Sequence, residues 1–431
     1  MNNPTKFFKV GILVLFGFFA IAGLVVFSTF RGFGGGGQQV GAVTIWGTLP
    51  ADQMEAVLSD LRASDQAYGN VTYKQKNETT FDADLANALA SGTGPDAIII
   101  SQEQLTTEQS KLTIIPFSTI PQRTYLDSYL PIDELFLASS GMYAIPFAVD
   151  PLVLYYNRSA LVNAGISTPP TTWESMTDLA ERLSVSSAGT VAQSTIPFGV
   201  YDNVENARAI VSMLFLQAGN PITQVSSRGV GATLSNTSDG TVSGAEAALN
   251  FYTQFADPVK AVYSWNRAFP SARQAFLAGK LAFYPGFASE LPQLKAANPN
   301  LDFDMAPMPQ PKSSNQRITY GKAYALAVPK ASHNVYGAVS VALALSKASL
   351  APRIAQTFSM APPFRAALTP STSDRYAPVF FPQALIARGW LSPSPARTDS
   401  IFSTMITSVT SGGSPAIQAL GTANQALDAS Y

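Results

Sequence analysis

The segment from Tyr143 to Glu181, YAIPFAVDPLVLYYNRSALVNAGISTPPTTWESMTDLAE, constrains the fold more tightly than any other part of the chain. Leu152 to Tyr156 is an apolar, β-prone run without alternation, which predicts a strand buried on both faces, as in a parallel sheet covered by helices. Asn157 is placed to cap a short helix that stops at Gly165, where a left-handed residue is needed. Pro169 and Pro170 forbid helix and impose an extended spacer. Thr171 and Glu174 then have the three-residue spacing of a capping box, and the helix that follows carries Trp173, Met176, Ala180 and Leu183 on one face.

Upstream, short apolar runs alternate with helical spacing. Val43 to Trp46 reads as a strand, Met54, Val57, Leu58 and Leu61 as one helix face, and Val71 to Tyr73 as a second strand. Phe81, Leu85, Ala88 and Leu89 form the next helix face, Gly92, Gly94 and Pro95 break it, and Ala97 to Ile100 is a third strand. A β-α-β-α-β order implies parallel strands joined by right-handed crossovers, the start of an open doubly wound sheet whose ligands sit beyond the carboxyl ends of the strands.

Those ends supply the first candidate residues. Trp46, Gly47 and Thr48 follow the first strand, Asn77 and Glu78 the second, and Ser101, Gln102 and Glu103 the third. Aromatic faces beside planar hydrogen-bonding groups suit a sugar, whose C–H patches stack on rings while its hydroxyls need donors and acceptors. The plainer readings are that Trp46 is core and that Glu78 is a helix-start charge.

Composition removes several functional classes. The chain has no cysteine, so disulfides, iron–sulfur clusters, thiolate metal sites and bacterial lipidation are excluded. The single histidine, His333, follows a predicted strand and reads as a surface-turn residue, leaving no histidine-based metal site or Ser-His-Asp triad. A formal net charge of -1 offers nucleic acid no basic footprint. No phosphate loop, nucleophile elbow or H-E-x-x-H helix is present. The run from Ser235 to Gly240 lacks the alternating carboxylates of a calcium loop and reads as a polar turn. No cofactor and no metal are expected.

From Val10 to Phe30 the chain is uncharged and apolar, about the 20 residues needed to cross a bilayer. Lys6 and Lys9 precede it and Arg31 follows, which favours a cytoplasmic N-terminus. A cleaved signal peptide is the alternative, with Val40-Gly41-Ala42 a poor cleavage site. The expectation is a single-pass anchor over residues 1–31, a Gly-rich tether over 32–39, and the remaining chain on the outer side of the cell membrane.

The phrase of apolar strand, YN, short helix ending AGI, PPTTW and helix closely resembles family 1 of the extracellular solute-binding proteins, the group that includes maltose-binding protein. Residues 265–286, WNRAFPSARQAFLAGKLAFYPG, look like the same family's tryptophan, helix ending F-x-x-G-K, strand and glycine. Residues 319–331, TYGKAYALAVPKA, look like its return to the first lobe. The resemblance runs from about residue 40 to the C-terminus.

It implies an α/β, two-lobed periplasmic-binding-protein-like fold of class II, each lobe a doubly wound, mostly parallel sheet flanked by helices. One lobe would comprise 40–148 with 322–372 and the other 149–321 with 373–431. The implied function is capture of a carbohydrate in the interlobe cleft by a monomer and its delivery to the permease of an ABC-type importer, without catalysis. An extracellular carbohydrate-active enzyme and a ligand-sensing subunit of a signalling system remain the alternatives. The resemblance adds Asp150, at the first lobe crossing, as a hydroxyl acceptor; its plainer reading is a turn carboxylate. Asn203 after PFGVY, Trp265 as a stacking platform, Tyr320 at the second crossing and Arg365 before the third are further implied cleft residues. Phe287 stands just past Gly286, where the family commonly carries a tryptophan shortly after the glycine, so this chain departs from the family's pattern at that platform.

Overall fold

The computed structural model describes residues 40–187, 190–226, 229–235, 243–369 and 374–431. The apolar stretch Val10 to Phe30, the glycine run and all of the Ser235 to Gly240 turn except Ser235 lie outside these residues. Among the described residues no helix is long and apolar enough to cross a membrane.

The elements that position the site are numbered here in chain order. Strand β1 (Val43–Gly47), helix α1 (Ala51–Ser64), strand β2 (Val71–Gln75), helix α2 (Phe81–Ala90) and strand β3 (Ala97–Ser101) follow the predicted alternation. Helix α3 (Gln102–Glu108) starts directly on the end of β3, capped by Ser101. Strand β4 (Ala144–Asn157) leads into helix α4 (Arg158–Asn163), and α5 (Trp173–Leu183) and α6 (Ala207–Gln217) come next. Strands β5 (Phe283–Phe287), β6 (Phe303–Ala306) and β7 (Thr319–Ala327) precede helix α7 (Ala377–Leu385), the short strand β8 (Ala387–Arg388) and helix α8 (Pro395–Thr410).

The main sheet has the order β5-β4-β7-β3-β1-β2, with β6 also paired to β4 and β8 to β7. As expected, β1 lies parallel to both β2 and β3. β8 also lies parallel to β7, but around β4 the expectation of mostly parallel pairing fails. β7 runs antiparallel to β3 and to β4, and β4 runs antiparallel to β5 and β6. The apolar run in β4 predicted burial correctly: of its fourteen residues only Tyr156 is not fully buried. Burial on both faces follows from the helices packed over the strand, which demand apolar side chains whichever way the neighbouring strands run.

β4 divides its length between two groups of strands. Residues 144–151 pair with β7 and so belong with β3, β1 and β2, whereas residues 152–157 lie between β5 and β6. The chain therefore passes from one sheet region to the next inside a single strand, at Asp150 to Leu152.

Local signals mostly act as read. The Asn157 side chain accepts from Ala160 N–H at 3.0 Å, and Gly165 takes φ +67° after α4. Trp173, Met176, Ala180 and Leu183 are the buried face of α5. The cap of α5 is one residue later than predicted: Thr172, not Thr171, accepts from Ser175 N–H, and Glu174 instead accepts the backbone N–H of Lys312. The Pro169-Pro170 spacer holds the chain extended through Thr172, whose φ of −128° is the non-helical geometry a cap requires. His333 is exposed in a turn.

Candidate functional site

Burial alternates along the middle of β7, and Tyr320, Lys322 and Tyr324 share one of its faces. Lys322 stands opposite Asp150 of β4, and Tyr324 opposite Ala148 on one side and Ser101 of β3 on the other. β5 ends at Phe287, opposite Leu152, so the next turn of chain carries Ser289 onto Asp150. The carboxyl ends of β3 and β5 thus approach the same stretch of β4 and β7 from opposite sides, the position where open α/β sheets bind ligands.

The floor of this site is a network of charges. Asp150 is 2% exposed; one carboxylate oxygen accepts the Ser289 hydroxyl at 2.6 Å and the other the Ser289 N–H at 3.1 Å. Burial raises its pKa from 3.8 to about 7, against the lowering effect of the Ser289 hydrogen bonds and of Lys322. Glu103, on the first turn of α3, accepts from the Tyr320 hydroxyl and from Arg208 Nη2 at 2.9 Å, with Lys322 Nζ 4.0 Å away. Burial pushes the Glu103 carboxyl up, but Arg208, Lys322 and the Tyr320 hydroxyl outweigh it and hold it below the ordinary value. Arg208 also donates to Asp399 at 2.8 Å, and Asp399 accepts the Tyr201 hydroxyl.

Beside Arg208 opens a cavity of about 470 Å³ whose lining includes Tyr201, Asp202, Glu205, Asp399, Ser400 and Ser403. These groups present hydroxyls, carboxylates and one guanidinium, the mixture of donors and acceptors a polyhydroxyl solute needs. A larger cavity, about 680 Å³, lies around Trp173, Leu214, Gln217 and Phe251. It is at the far end of α6, where Gln217 is about 13 Å from Arg208 at 1.5 Å per residue. Trp173 Nε1 there donates to Gln217 Oε1 at 2.7 Å, so the polar ends of these two side chains turn on each other, and the lining mixes apolar side chains with Glu174, Thr177 and the polar run 313–316.

The structure brings together only part of the predicted set. Asp150, Tyr320, Phe287 and Gln102 converge on the β4 and β7 crossing. Phe287 is 6% exposed and has the Lys322 ammonium 4.9 Å over its ring. Gln102, expected to meet solute, is fully buried: its amide donates to Gly321 O at 3.1 Å and its carbonyl accepts Ala323 N–H at 2.8 Å, so it ties α3 to β7. Tyr320 is also fully buried and acts through Glu103.

Trp265 is corrected most clearly. Its ring has no exposed surface, stacks on Phe269 at 4.5 Å and donates its N–H to Asn203 at 2.9 Å. The Asn203 amide in turn holds Asn266 O and Phe269 O. Both residues fix the loop that precedes helix Ala272–Leu277, because an indole on a loop is as easily covered by its own loop as left open. Trp46 lies on β1, 8% exposed, with Lys76 Nζ 3.7 Å over its ring. Thr48 is half-buried and Glu78 exposed. Arg365 is exposed on a short turn of helix, Arg365–Ala367.

Glu103 was among the candidates at the end of the third strand, but Arg208, Lys322 and Tyr324 were overlooked. The Tyr–x–Lys–x–Tyr alternation in TYGKAY was the available signal for two of them. Tyr324 is half-buried, and burial together with the nearby Asp150, Glu78 and Glu103 charges raises its phenol pKa well above 10.0.

The model of the family described as bacterial extracellular solute-binding protein matches residues 65–378, well over half of the chain. This chain is a bacterial extracellular solute-binding protein. A comparison of its sequence with curated proteins yields no match. Among solved structures, the solute-binding protein is similar to the cyclic alpha-maltosyl-1,6-maltose binding protein of Arthrobacter globiformis, with 18% identity, 90% of this chain and 98% of that chain covered, and a TM-score of 0.74. It is similar to the GacH receptor of Streptomyces glaucescens, with 17% identity, 89% and 97% covered, and a TM-score of 0.68. The maltotriose binding protein of Thermus thermophilus matches with 17% identity, 90% and 99% covered, and a TM-score of 0.67. At these identities the likeness is one of fold, and the solute-binding protein has the α/β two-lobed architecture. The family and these structures are binding proteins.

Proposed function

We propose that the protein captures a carbohydrate, an oligosaccharide in particular, between two lobes comprising 40–148 with 322–372 and 149–321 with 373–431. The observation that carries the reading is the Tyr320, Lys322, Tyr324 face of β7 beside Asp150, set where the ends of β3 and β5 converge and next to a polar cavity. Half-buried Lys322 and Tyr324 on the strand face, and a hydroxyl- and carboxylate-lined opening joined to that face through Arg208 and Glu103, match the stacking and hydrogen-bonding needs of a sugar ring. The structurally similar proteins are described with cyclic alpha-maltosyl-1,6-maltose, acarbose, maltotriose and mannobiose, all saccharides. Lys322, Tyr324 and Phe287 are the proposed ring and hydroxyl contacts, with Asp202 and Asp399 across the opening and Thr48, Glu78 and Arg365 at greater remove.

Lobe closure over the solute would be recognised by the permease of an ABC-type importer, and solute drives closure only through its higher affinity for the closed form. The apolar Val10 to Phe30 segment supports a single-pass anchor that keeps this receptor outside the membrane and close to its transporter, raising its effective concentration there. No catalytic role is proposed.

A thermal-shift screen of the full-length protein against maltotriose, mannobiose and acarbose tests the reading. A saccharide at a hundred times its Kd stabilises the fold by about 2.7 kcal/mol. Stabilisation by amino acids or peptides, with none by any saccharide, would sink the carbohydrate assignment while leaving solute binding intact.

A further inference from the structure

We propose that the amino edge of the sheet region β1–β3 rests on the outer surface of the membrane, presenting Val335, Tyr336, Tyr68 and Ile114 to lipid and leaving the solute site turned away from it. The inference rests on the single-pass anchor proposed above. The edge is built from the starts of three strands. Val43 N–H donates to Asn70 O at 3.2 Å, and Asp96, just before β3, accepts Thr44 N–H at 2.9 Å and the Ser332 hydroxyl at 3.4 Å. Because β7 runs antiparallel to β3, its far end carries the turn from Val328 to Asn334 to this same edge. Asn334 Nδ2 donates to Ala42 O at 3.1 Å, so the chain enters the fold against that turn.

The side chains left open beside this entry are apolar and basic. Asn334 caps the helix Val335–Leu345, accepting Gly337 N–H at 2.9 Å, and the first two residues of that helix stay outside the core, Val335 at 38% and Tyr336 at 50% exposure. Half-buried Tyr68 is their neighbour: burial raises its phenol pKa, and Asp65 and Tyr336 add to the rise. Ile114, 40% exposed, follows Thr113, whose N–H donates to Val328 O at 2.8 Å. Lys330 and His333 are exposed on the turn itself. Tyrosine and aliphatic groups among basic side chains are the mixture that a membrane interface accepts.

Chain length singles out lipid as the occupant. Eight residues, 32–39, separate the end of the anchor from Val40, and they reach at most about 28 Å fully extended and about 16 Å on average as a Gly-rich coil. The edge they join therefore stays within that reach of the bilayer. The carboxyl ends of β1–β3, where the solute site lies, are one strand length further out, about 17 Å. Four side chains would hold a free protein on lipid only weakly, but the tether keeps their local concentration high enough for a weak contact to persist.

The chain has no cysteine, so single labels can be placed at will. Ala331→Cys, exposed on the turn, and Val259→Cys, 89% exposed in the other proposed lobe, each take a nitrobenzoxadiazole fluorophore. The full-length protein is reconstituted into vesicles of phosphatidylcholine and phosphatidylglycerol, with and without phosphatidylcholine that carries a headgroup nitroxide. The fluorophore at 331 should shift to the blue and be quenched by the nitroxide, and the one at 259 should do neither. Val335→Ser combined with Tyr336→Ser, both at exposed positions, should abolish quenching at 331 while the protein stays with the vesicles. Equal quenching at the two positions, or quenching that survives the double substitution, overturns the membrane contact and leaves the anchor intact. A blue shift at 331 without quenching puts a second copy of the chain on the patch in place of lipid and overturns it too. Protein that fails to sediment with the vesicles defeats the anchor reading, and the membrane contact falls with it.

Discussion

Asp150 and Lys322 face each other across the antiparallel pair of β4 and β7, with the acid sealed at 2% exposure and the ammonium reaching outward over the Phe287 ring. The cation lowers the acid's pKa less than burial raises it, and the carboxyl titrates at about 7. Its folded pKa lies above its ordinary 3.8, so the folded form holds a proton that the unfolded chain has released. The contribution is fully present below the unfolded value and is lost as pH rises through about 7, at up to about 1.4 kcal/mol per pH unit. Asp150→Asn should flatten the stability profile between pH 4 and 7 relative to the parent, as read by denaturant titration at several pH values. An unchanged slope would place Asp150 in a more solvated setting than the structure does.

Tyr324 and Lys322 are expected to carry affinity with little stability. Tyr324→Ala removes a half-buried ring from the site floor, and loss of an aromatic anchor commonly costs about 2 kcal/mol of binding, more than tenfold in Kd. Calorimetric titration with the saccharide that the screen selects should show this drop, alongside an apo melting temperature close to the parent's. A large apo destabilisation with unchanged Kd assigns the ring to packing.

Trp265→Ala should behave in the opposite sense. The ring is fully buried and hydrogen-bonded through Asn203, so truncation opens a cavity and orphans the Asn203 carbonyl, at about 3–5 kcal/mol of stability. The folded fraction should keep its solute affinity within a few-fold. Trp265→Phe, which keeps an aromatic ring against Phe269 but loses the N–H and part of the indole volume, should recover only part of that stability.

Gly199 takes φ +91°, and a Cβ there would come within 2.6 Å of the Ala256 backbone nitrogen. Gly199→Ala is therefore strained in conformation and in space, and backbone cannot move aside as a side-chain tip can. A loss of more than about 1 kcal/mol is expected by chemical denaturation. The loop it serves carries Tyr201 and Asp202 to the cavity, so weaker solute binding should accompany it.

The anchor is tested by fractionation. Full-length protein should sediment with membranes and release only in detergent, whereas a chain lacking residues 1–39 should be recovered in the soluble fraction with its fold intact. N-terminal sequencing of the mature protein that begins near Val43 would establish cleavage in place of anchoring.

The order of the first strands and helices, the Asn157 cap and the buried helix faces were legible in the sequence because each depends on spacings of a few residues. Asn157 needs only Ala160 to become a cap, Gly165 needs only the end of a helix to adopt positive φ, and the Trp173 to Leu183 face follows from 3.6 residues per turn. The parallel run of β1, β2 and β3 followed from the alternation of strands and helices. The direction of β4 and β7 against their neighbours was not legible, since an apolar run records how many helices cover it and not which way its neighbours run. Nor was the exposure of the candidate side chains. Trp265 and Tyr324 are both aromatics beside glycine-containing phrases, yet one is sealed by Phe269 and Asn203 and the other stands half open beside Asp150. Glu103 and Arg208 lie more than a hundred residues apart, and their meeting depends on β3 and α6 being brought together by the sheet. Exposure and long-range charge pairing are properties of what packs against a residue, and that is decided only when the whole chain has folded.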